Sequence, residues 1–327
     1  MYFVGIDGGA TRTRAALSTL DGTVVGFEVA GPSNYDNVGI EAARSNIGNA
    51  VQGAFRKAGL SPTSLDGIFL GMAGVASPTD RATILQMIVD LQLAAADKVY
   101  VDHDIRTALA GGLAGREGLA LIAGTGSSVY GRRKDGRHHR VGWGYLLDDL
   151  GSSYMLGLQA MIAAVWEADG RGPATLLSRR VQHALGYSHI DEIMRLVYHE
   201  KVGVTETAAL APLVLETAEA GDEIANRIVT RAAEDLAYSA YTVARVLGFL
   251  GKAFEMTMVG GLVESGKLYR RMLVEAIHQR MPECQIRAPE LPPVLGAVLL
   301  SLESTGHAIT PAIISKLKGC DLSALGS

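Results

Sequence analysis

Apolar positions fall in short runs over the first forty residues and in longer, helix-spaced stretches afterwards. Tyr2–Ile6 is an apolar run broken by Asp7-Gly8-Gly9-Ala10-Thr11. Ala15–Leu20 and Thr23–Val29 are two further strands, joined by the hairpin dipeptide Asp21-Gly22. Past the loop Gly31-Pro32-Ser33-Asn34, the residues Ile40, Ala43, Ile47, Ala50, Ala54 and Phe55 recur at helical spacing. Gly67–Ala73 reads as a strand, Asp80–Gln92 as a helix and Lys98–Val101 as a strand. A helix of small residues starts at Ile105.

The pattern then repeats. Leu119–Ala123 is an apolar strand, Gly124-Thr125-Gly126-Ser127 breaks it, Val129–Arg132 continues, and Asp135-Gly136 is a second hairpin signal. Thr11 precedes Asp21 by ten residues, and Thr125 precedes Asp135 by ten. Equal offsets around a Gly/Thr turn point to two copies of one supersecondary unit, hence duplicated domains with a cleft between them. The remainder is more helical: Ser153–Trp166, several helices over Pro173–Leu215, and a long helix over Asp222–Gly248 with Ile224, Ile228, Ala232, Leu236, Ser239 and Val243 on its expected inner face. Ala253–Val259 is a strand ending in Gly260-Gly261. A helix follows from Gly266, then a short strand at Gln285–Arg287 and an apolar helix from Pro293. The expected domains are 1–114, with helix 293–305 packing back onto it, and 115–292, which carries a helical insertion.

Composition narrows the class. The chain has 327 residues, a length suited to two domains, and 48% are hydrophobic, enough for packed cores. Thirty Lys and Arg against 34 Asp and Glu leave a net charge of −4, which argues against a nucleic-acid binder. Two cysteines, Cys284 and Cys320, are too few for a disulfide scaffold or a four-cysteine metal site. The start reaches an acid at Asp7 with no basic stretch before it, so no secretory signal is expected, and no run of about 18 apolar residues suggests a membrane span.

The 39 glycines concentrate interest on the turns. A strand–Gly-rich turn–strand with a Thr lets backbone amides and a hydroxyl approach phosphate oxygens. Neither turn is a Walker A loop or a dinucleotide fingerprint, since no Gly-Lys-Ser/Thr follows and a strand rather than a helix comes next. Asp7 ends the first strand beside the expected phosphates. A carboxylate there calls for a cation, and Mg²⁺ held through water is the expectation. Either turn alone also reads as a plain hairpin, with Asp7 as its cap; the two together favour a pair of phosphate clamps. His138-His139 read as exposed hairpin residues.

The segments Asp7-Gly8-Gly9-Ala10-Thr11-Arg12-Thr13, Gly124-Thr125-Gly126-Ser127 and Val259-Gly260-Gly261-Leu262-Val263 resemble, in that order, the two phosphate motifs and the adenosine motif of the sugar kinase, heat-shock protein 70 and actin superfamily. Gly142-Trp143-Gly144-Tyr145, Asp149-Leu150-Gly151-Ser152-Ser153-Tyr154 and Val101–Gly112 are similar to segments of its N-acetylglucosamine kinase and BadF/BadG ATPase family. Ala10, His103, Asp148 and Leu150 depart from that family's usual residues. The resemblance covers residues 1 to about 304. It implies an α/β fold of two duplicated ribonuclease H-like domains, the actin-like ATPase fold, with an interdomain cleft.

What the resemblance implies for the site is a set of named residues. Gly8, Gly9, Thr11, Thr13, Gly124, Thr125, Gly126, Gly260 and Gly261 would serve the nucleotide, and Asn34, Gly74, Ser127 and Asp149 the sugar. Asp104, just after a strand and at a helix start, would be the general base. A helix cap is the plain alternative for Asp104, and Asp102 is its rival for the catalytic role. The implied activity is Mg²⁺- and ATP-dependent phosphorylation of an amino sugar, N-acetyl-D-glucosamine to its 6-phosphate. A glucosamine or broad-specificity hexose kinase is the near alternative, and a non-kinase ATPase activator the distant one. The expected partners are ATP and a small sugar, without nucleic acid or membrane, in a cytoplasmic homodimer.

Overall fold

The computed structural model describes residues 1–199 and 202–326. The chain divides into two compact units, one comprising Met1–Ala120 and the segment from Arg287 on, the other Leu121–Ile286.

In the first unit, β1 (Tyr2–Gly8), β2 (Thr13–Thr19) and β3 (Val24–Ala30) form an antiparallel meander, with Gly8 opposite Thr13 across the first turn. Helices α1 (Tyr35–Val38) and α2 (Ile40–Lys57) lead to β4 (Gly67–Met72), which pairs parallel with β1. Helix α3 (Pro78–Asp90) leads to β5 (Val99–His103), parallel to β4, and α4 (Asp104–Gly112) follows at once. The sheet order is β3-β2-β1-β4-β5. β4 is buried at every position, as expected of a parallel strand covered on both faces. On one face, Val4, Ile6, Leu17, Ile68 and Leu70 pack with Ile47, Val51 and Phe55 of α2 and Ile84 and Ile88 of α3. Ile40, expected on that inner face, is the first residue of α2 and remains 49% exposed, outside the stripe that meets the sheet.

The second unit opens with β6 (Gly118–Ala123), β7 (Ser127–Arg132) and β8 (His138–Val141), then α5 (Ser153–Ala168), α6 (Leu176–Leu185), α7 (Glu192–His199), α8 (Val204–Ala208), α9 (Ala211–Glu219) and α10 (Glu223–Leu247). Residues 200 and 201 of the expected helical stretch lie outside the described residues. After α10 come β9 (Phe254–Val259), α11 (Gly261–Ser265), α12 (Lys267–Arg280) and β10 (Cys284–Arg287). The sheet order is β10-β9-β6-β7-β8. In chain order both sheets run third, second, first, fourth, fifth, so the sequence repeat is a repeat of topology. This is the duplicated ribonuclease H-like architecture of the actin-like ATPase fold.

Asp222 caps α10 by accepting from the Ala225 amide, and Gly248 ends it in left-handed conformation. Its buried face is Ala225, Val229, Ala232, Ala233, Leu236, Ala237, Ala240, Val243, Ala244 and Leu247. Alanines dominate this face, so the apolar pattern is set by small residues. The bulkier Ile224 and Ile228, expected inside, are only partly buried, one position off.

The chain then returns to the first unit as α13 (Pro293–Ser304), α14 (Pro311–Lys318) and α15 (Leu322–Leu325). Val294, Leu295, Val298 and Leu302 of α13 cover the second face of the first sheet, against Phe3, Ala16 and Phe27. The approach is close enough that a Cβ on Gly5 would lie 2.3 Å from the Val298 amide nitrogen. Among the described residues, no helix is long and apolar enough to cross a membrane.

Candidate active site

In the first unit, the candidate residues gather at the carboxyl ends of β1, β4 and β5, where open α/β sheets place ligands. The β1–β2 turn closes by the Gly9 amide donating to the Arg12 carbonyl at 3.0 Å. Its outer side is braced by the neighbouring loops: the Ser33 amide donates to Gly9 O at 3.1 Å, and the Ala73 amide to Gly8 O at 2.8 Å. Each brace immediately precedes a candidate sugar residue, Asn34 and Gly74. Those two are in contact, since a Cβ on Gly74 would meet the Asn34 carboxamide oxygen at 2.9 Å, and Gly74 also has φ +89°. Asn34 caps α1, its side chain accepting from the Asp36 amide at 3.2 Å.

Asp7 is largely buried. The antiparallel register sets it opposite Arg14, whose Nη1 donates to Asp7 Oδ2 at 2.9 Å. Burial raises the Asp7 carboxyl above its ordinary value, and the attraction of Arg14 only partly offsets this. Sequence reasoning passed over Arg14, although the hairpin register alone pairs it with Asp7. Thr11 is exposed at the tip of the turn. Thr13, expected among the nucleotide ligands, is fully buried and its hydroxyl donates to the Gly31 carbonyl at 2.7 Å. It fastens the turn to the end of β3.

Asp104 is the first residue of α4. The preceding His103 occupies the cap position, so capping does not account for Asp104. Met72 lies opposite His103 in the parallel pair, which sets Asp104 beside the Ala73–Gly74 turn. Asp102 differs sharply from it. Asp102 accepts from Arg81 Nη2 at 2.8 Å, Arg106 Nη1 at 2.6 Å and the His103 amide at 2.9 Å. Burial pushes its carboxyl up, but His103, Arg106 and Arg81 outweigh this and hold it down at about 2. So weak a base is poorly suited to accept a hydroxyl proton near neutrality. The network runs further: Asp80, next to Arg81, accepts from Tyr35 Oη at 2.7 Å and from the Ala76 and Ser77 amides at 2.9 and 2.6 Å. Asn34 and Asp104 are thus tied through Tyr35, Asp80, Arg81 and Asp102, a strap that scattered charges along the chain do not foretell.

In the second unit, the Gly124–Ser127 turn is closed by the Gly124 amide on Gly126 O at 2.9 Å. It is braced by the start of α5, whose Ser153 and Tyr154 amides donate to Gly124 O and Thr125 O at 2.8 and 3.1 Å. Asp149 lies against this turn. A Cβ on Gly126 would sit 2.6 Å from Asp149 Oδ2, and the Ser127 and Gly144 amides donate to the carboxylate. Burial is the largest influence on Asp149 and Asp148 adds repulsion, so despite both amides its carboxyl is pushed up to about 6. Its φ of +55° is the left-handed region, held by the Ser152 amide donating to Asp149 O at 3.1 Å. Thr125 is exposed. Ser127, expected as a sugar ligand, is buried with its hydroxyl donating to Leu150 O at 2.8 Å, so its part is to fix the Asp149 loop.

Gly260 follows β9 with φ +107°, and a Cβ there would meet Ala123 O at 2.5 Å. Gly261 comes within 4.0 Å of the position a Gly124 Cβ would take. The expected adenosine motif and second phosphate turn are therefore neighbours. Trp143 is 67% exposed, stacked under Arg140 at 5.6 Å, and Leu146 and Leu147 beside it are also exposed. His138 and His139 lie on β8, and no cluster of three metal-binding side chains occurs among the described residues. The Cys284 thiol is buried and pushed up to about 12, which leaves it inert.

The family model of the BadF/BadG/BcrA/BcrD ATPase family matches residues 4–301. The chain is 32% identical over 301 residues to the N-acetylmuramic acid/N-acetylglucosamine kinase of Clostridium acetobutylicum, over 92% of this chain and 98% of that one. It is 30% identical over 313 residues to the N-acetyl-D-glucosamine kinase of Dictyostelium discoideum, again over 92% and 98%. Among solved structures it resembles a candidate N-acetylglucosamine kinase from Chromobacterium violaceum, with TM-score 0.73, 29% identity, and coverage of 92% of this chain and 98% of that one.

Proposed function

The chain belongs to the BadF/BadG/BcrA/BcrD ATPase family, and we propose that it transfers the γ-phosphoryl group of ATP to the 6-hydroxyl of an N-acetylated amino sugar, N-acetyl-D-glucosamine first. The observation that carries this reading is the gathering of Asp7, Gly74 and Asp104 at the ends of three neighbouring strands, with Asn34 from the loop after β3 set against Gly74.

Phosphoryl transfer is mostly positioning and charge stabilisation. The backbone of the Gly8–Thr11 turn and of Gly124–Gly126 serves the phosphates, with Gly260 and Gly261 on the nucleoside side. Asn34 and Asp149 bond sugar hydroxyls, and Gly74 leaves room for the Asn34 side chain to lie in place. Asp104 accepts the proton of the attacking hydroxyl. Asp102 keeps its charge on two arginines and the His103 amide, and so orients the strand end from which Asp104 projects.

Mg²⁺ fits the donors present. One carboxylate, with waters and phosphates completing the shell, is a common way for this ion to be held, and Asp7 is such a carboxylate. Bound there, the ion would supply neutralisation of phosphate charge.

The test is ADP release by the chain with MgATP and N-acetylglucosamine, with ³¹P NMR of the product. A sugar-dependent ADP signal and a 6-phosphomonoester are expected. ATP turnover indifferent to sugar would overturn the reading in favour of an ATPase activator.

A further inference from the structure

The second unit holds a cavity of about 590 Å³ lined by none of the candidate site residues. Its size lies in the range of small-ligand pockets. Helices α5 and α10 form its walls, and Leu150 and Gly151 close one end. The walls are apolar: Ile162 and Trp166 from α5 face Ile224 and Ile228 from α10. Trp166 is 47% exposed, and the two isoleucines are the residues that the fold leaves off the α10 core face.

The rim carries the opposite character. Arg171, Arg227 and Arg231 line it against a single acid, Asp235. Arg231 Nε donates to Asp235 at 2.9 Å, and Arg171 pairs with Asp169 while lying 5.5 Å over the Trp166 ring. Arg227 has no ionic or hydrogen-bond partner among the described residues. A cationic rim on a chain of net charge −4 is a local reversal of sign. It also disfavours a second copy as the occupant, because a two-fold contact at this face would set arginine against arginine.

We propose that this cavity binds a small amphipathic anion, an acyl or aromatic body between α5 and α10 with its carboxylate or phosphate head on Arg227. Occupancy also bears on sugar binding, a consequence that rests on the proposed role of Asp149. Leu150 and Gly151 are shared structure: Leu150 O accepts from Ser127 and Gly151 O accepts from Tyr269 at 2.6 Å, while Asp149 just before them faces the Gly126 turn. A ligand pressing on Leu150 acts on the loop that holds that carboxylate.

The probe is 8-anilinonaphthalene-1-sulfonate, titrated into the full chain by fluorescence. Decanoate and decyl phosphate serve as competitors that distinguish the head groups, and decanol as the neutral control. Saturable binding is expected, displaced by at least one anion much better than by decanol and not by ATP or N-acetylglucosamine. Arg227→Gln should weaken it about tenfold or more, the worth of one charged contact, and Arg227→Lys should restore most of it. Matching thermal melts for the variants confirm that folding is intact. Equal binding by wild type and Arg227→Gln, displacement by ATP, or a dimer that hides the probe site would each overturn the proposal. A bound anion should also shift the sugar KM. Absence of kinase activity would sink the proposed function and leave the binding result standing.

Discussion

The two strand–glycine–strand turns, Gly8–Thr13 in the first unit and Gly124–Ser127 in the second, start from one topology and are finished differently. Both place a threonine at an exposed tip, and both have a carboxyl raised by burial beside them. In the first, the carboxyl is Asp7, part of the strand itself, and its counterweight is a guanidinium across the hairpin. In the second, it is Asp149, delivered by a later loop in left-handed conformation, and its counterweights are two backbone amides. Arg14 is partly exposed and can leave Asp7 for a phosphate, which frees the carboxylate for a cation. Backbone amides fixed by a turn cannot move in that way. On the proposed reading, the first turn serves the reacting phosphoryl group, and the second, through Asp149, reads the sugar together with Asn34.

The sharpest way to break this division is to remove the base. Asp104→Asn should lower kcat by roughly 10²–10⁴-fold with little change in the KM for sugar or ATP, read by steady-state kinetics. Near wild-type turnover would move the base role away from the first unit's strand ends.

Asp149→Ala should come next. A lost hydrogen bond to a charged group is worth about ten- to a hundred-fold, so sugar kcat/KM should fall by that factor while the ATP KM holds. Asp149 also carries a pH signature. Its folded value of about 6 lies above the unfolded one, so the folded state favours the protonated form. Stability from this group is full below the unfolded value and is lost as pH rises through about 6. Asp149→Asn should therefore gain in Tm relative to wild type on going from about pH 4 to pH 7. Sugar binding by wild type should weaken as pH falls below about 6, where the carboxylate protonates. A pH-independent sugar KM in that window would remove Asp149 from the sugar.

A smaller effect is expected in the first turn. Asp7→Ala should raise the Mg²⁺-ATP concentration for half-maximal rate by roughly tenfold, with the sugar KM nearly unchanged. Unaltered Mg²⁺ dependence would leave Asp7 as merely the partner of Arg14. Smaller still in turnover is Asp102→Asn, which strands part of two guanidiniums. It should lower stability by about 1.5–3 kcal/mol in denaturant unfolding while costing less kcat than Asp104→Asn. A larger kcat loss at Asp102 would reverse the assignment.

Much of this was legible in the chain. The equal Thr-to-Asp-Gly offsets carry the duplication, because hairpin length is a local property that tertiary packing did not alter. The strand ends were readable too, since apolar runs stop where glycines start. What escaped was whatever depends on register or on distant partners. Thr13 and Ser127 look like phosphate or sugar ligands in a motif, yet strand alternation turns both hydroxyls inward to Gly31 and Leu150. The contrast between Asp102 and Asp104, two residues apart, depends on Arg81 arriving from another helix. On α10, Ala232, Leu236 and Val243 lie on the buried face as expected, while Ile224 and Ile228 fall off it, because alanines, weak in any hydrophobic pattern, form most of that face.

The proposal that Asp104 drives turnover while Asp149 reads the sugar is tested most directly by one ratio. It is kcat/KM for N-acetylglucosamine divided by that for its C4 epimer, measured in wild type, Asp104→Asn and Asp149→Ala. The account predicts a high ratio in wild type, the same ratio at much lower rate in Asp104→Asn, and a ratio reduced about ten- to a hundred-fold in Asp149→Ala. A ratio preserved in Asp149→Ala, or one that collapses in Asp104→Asn, would contradict it.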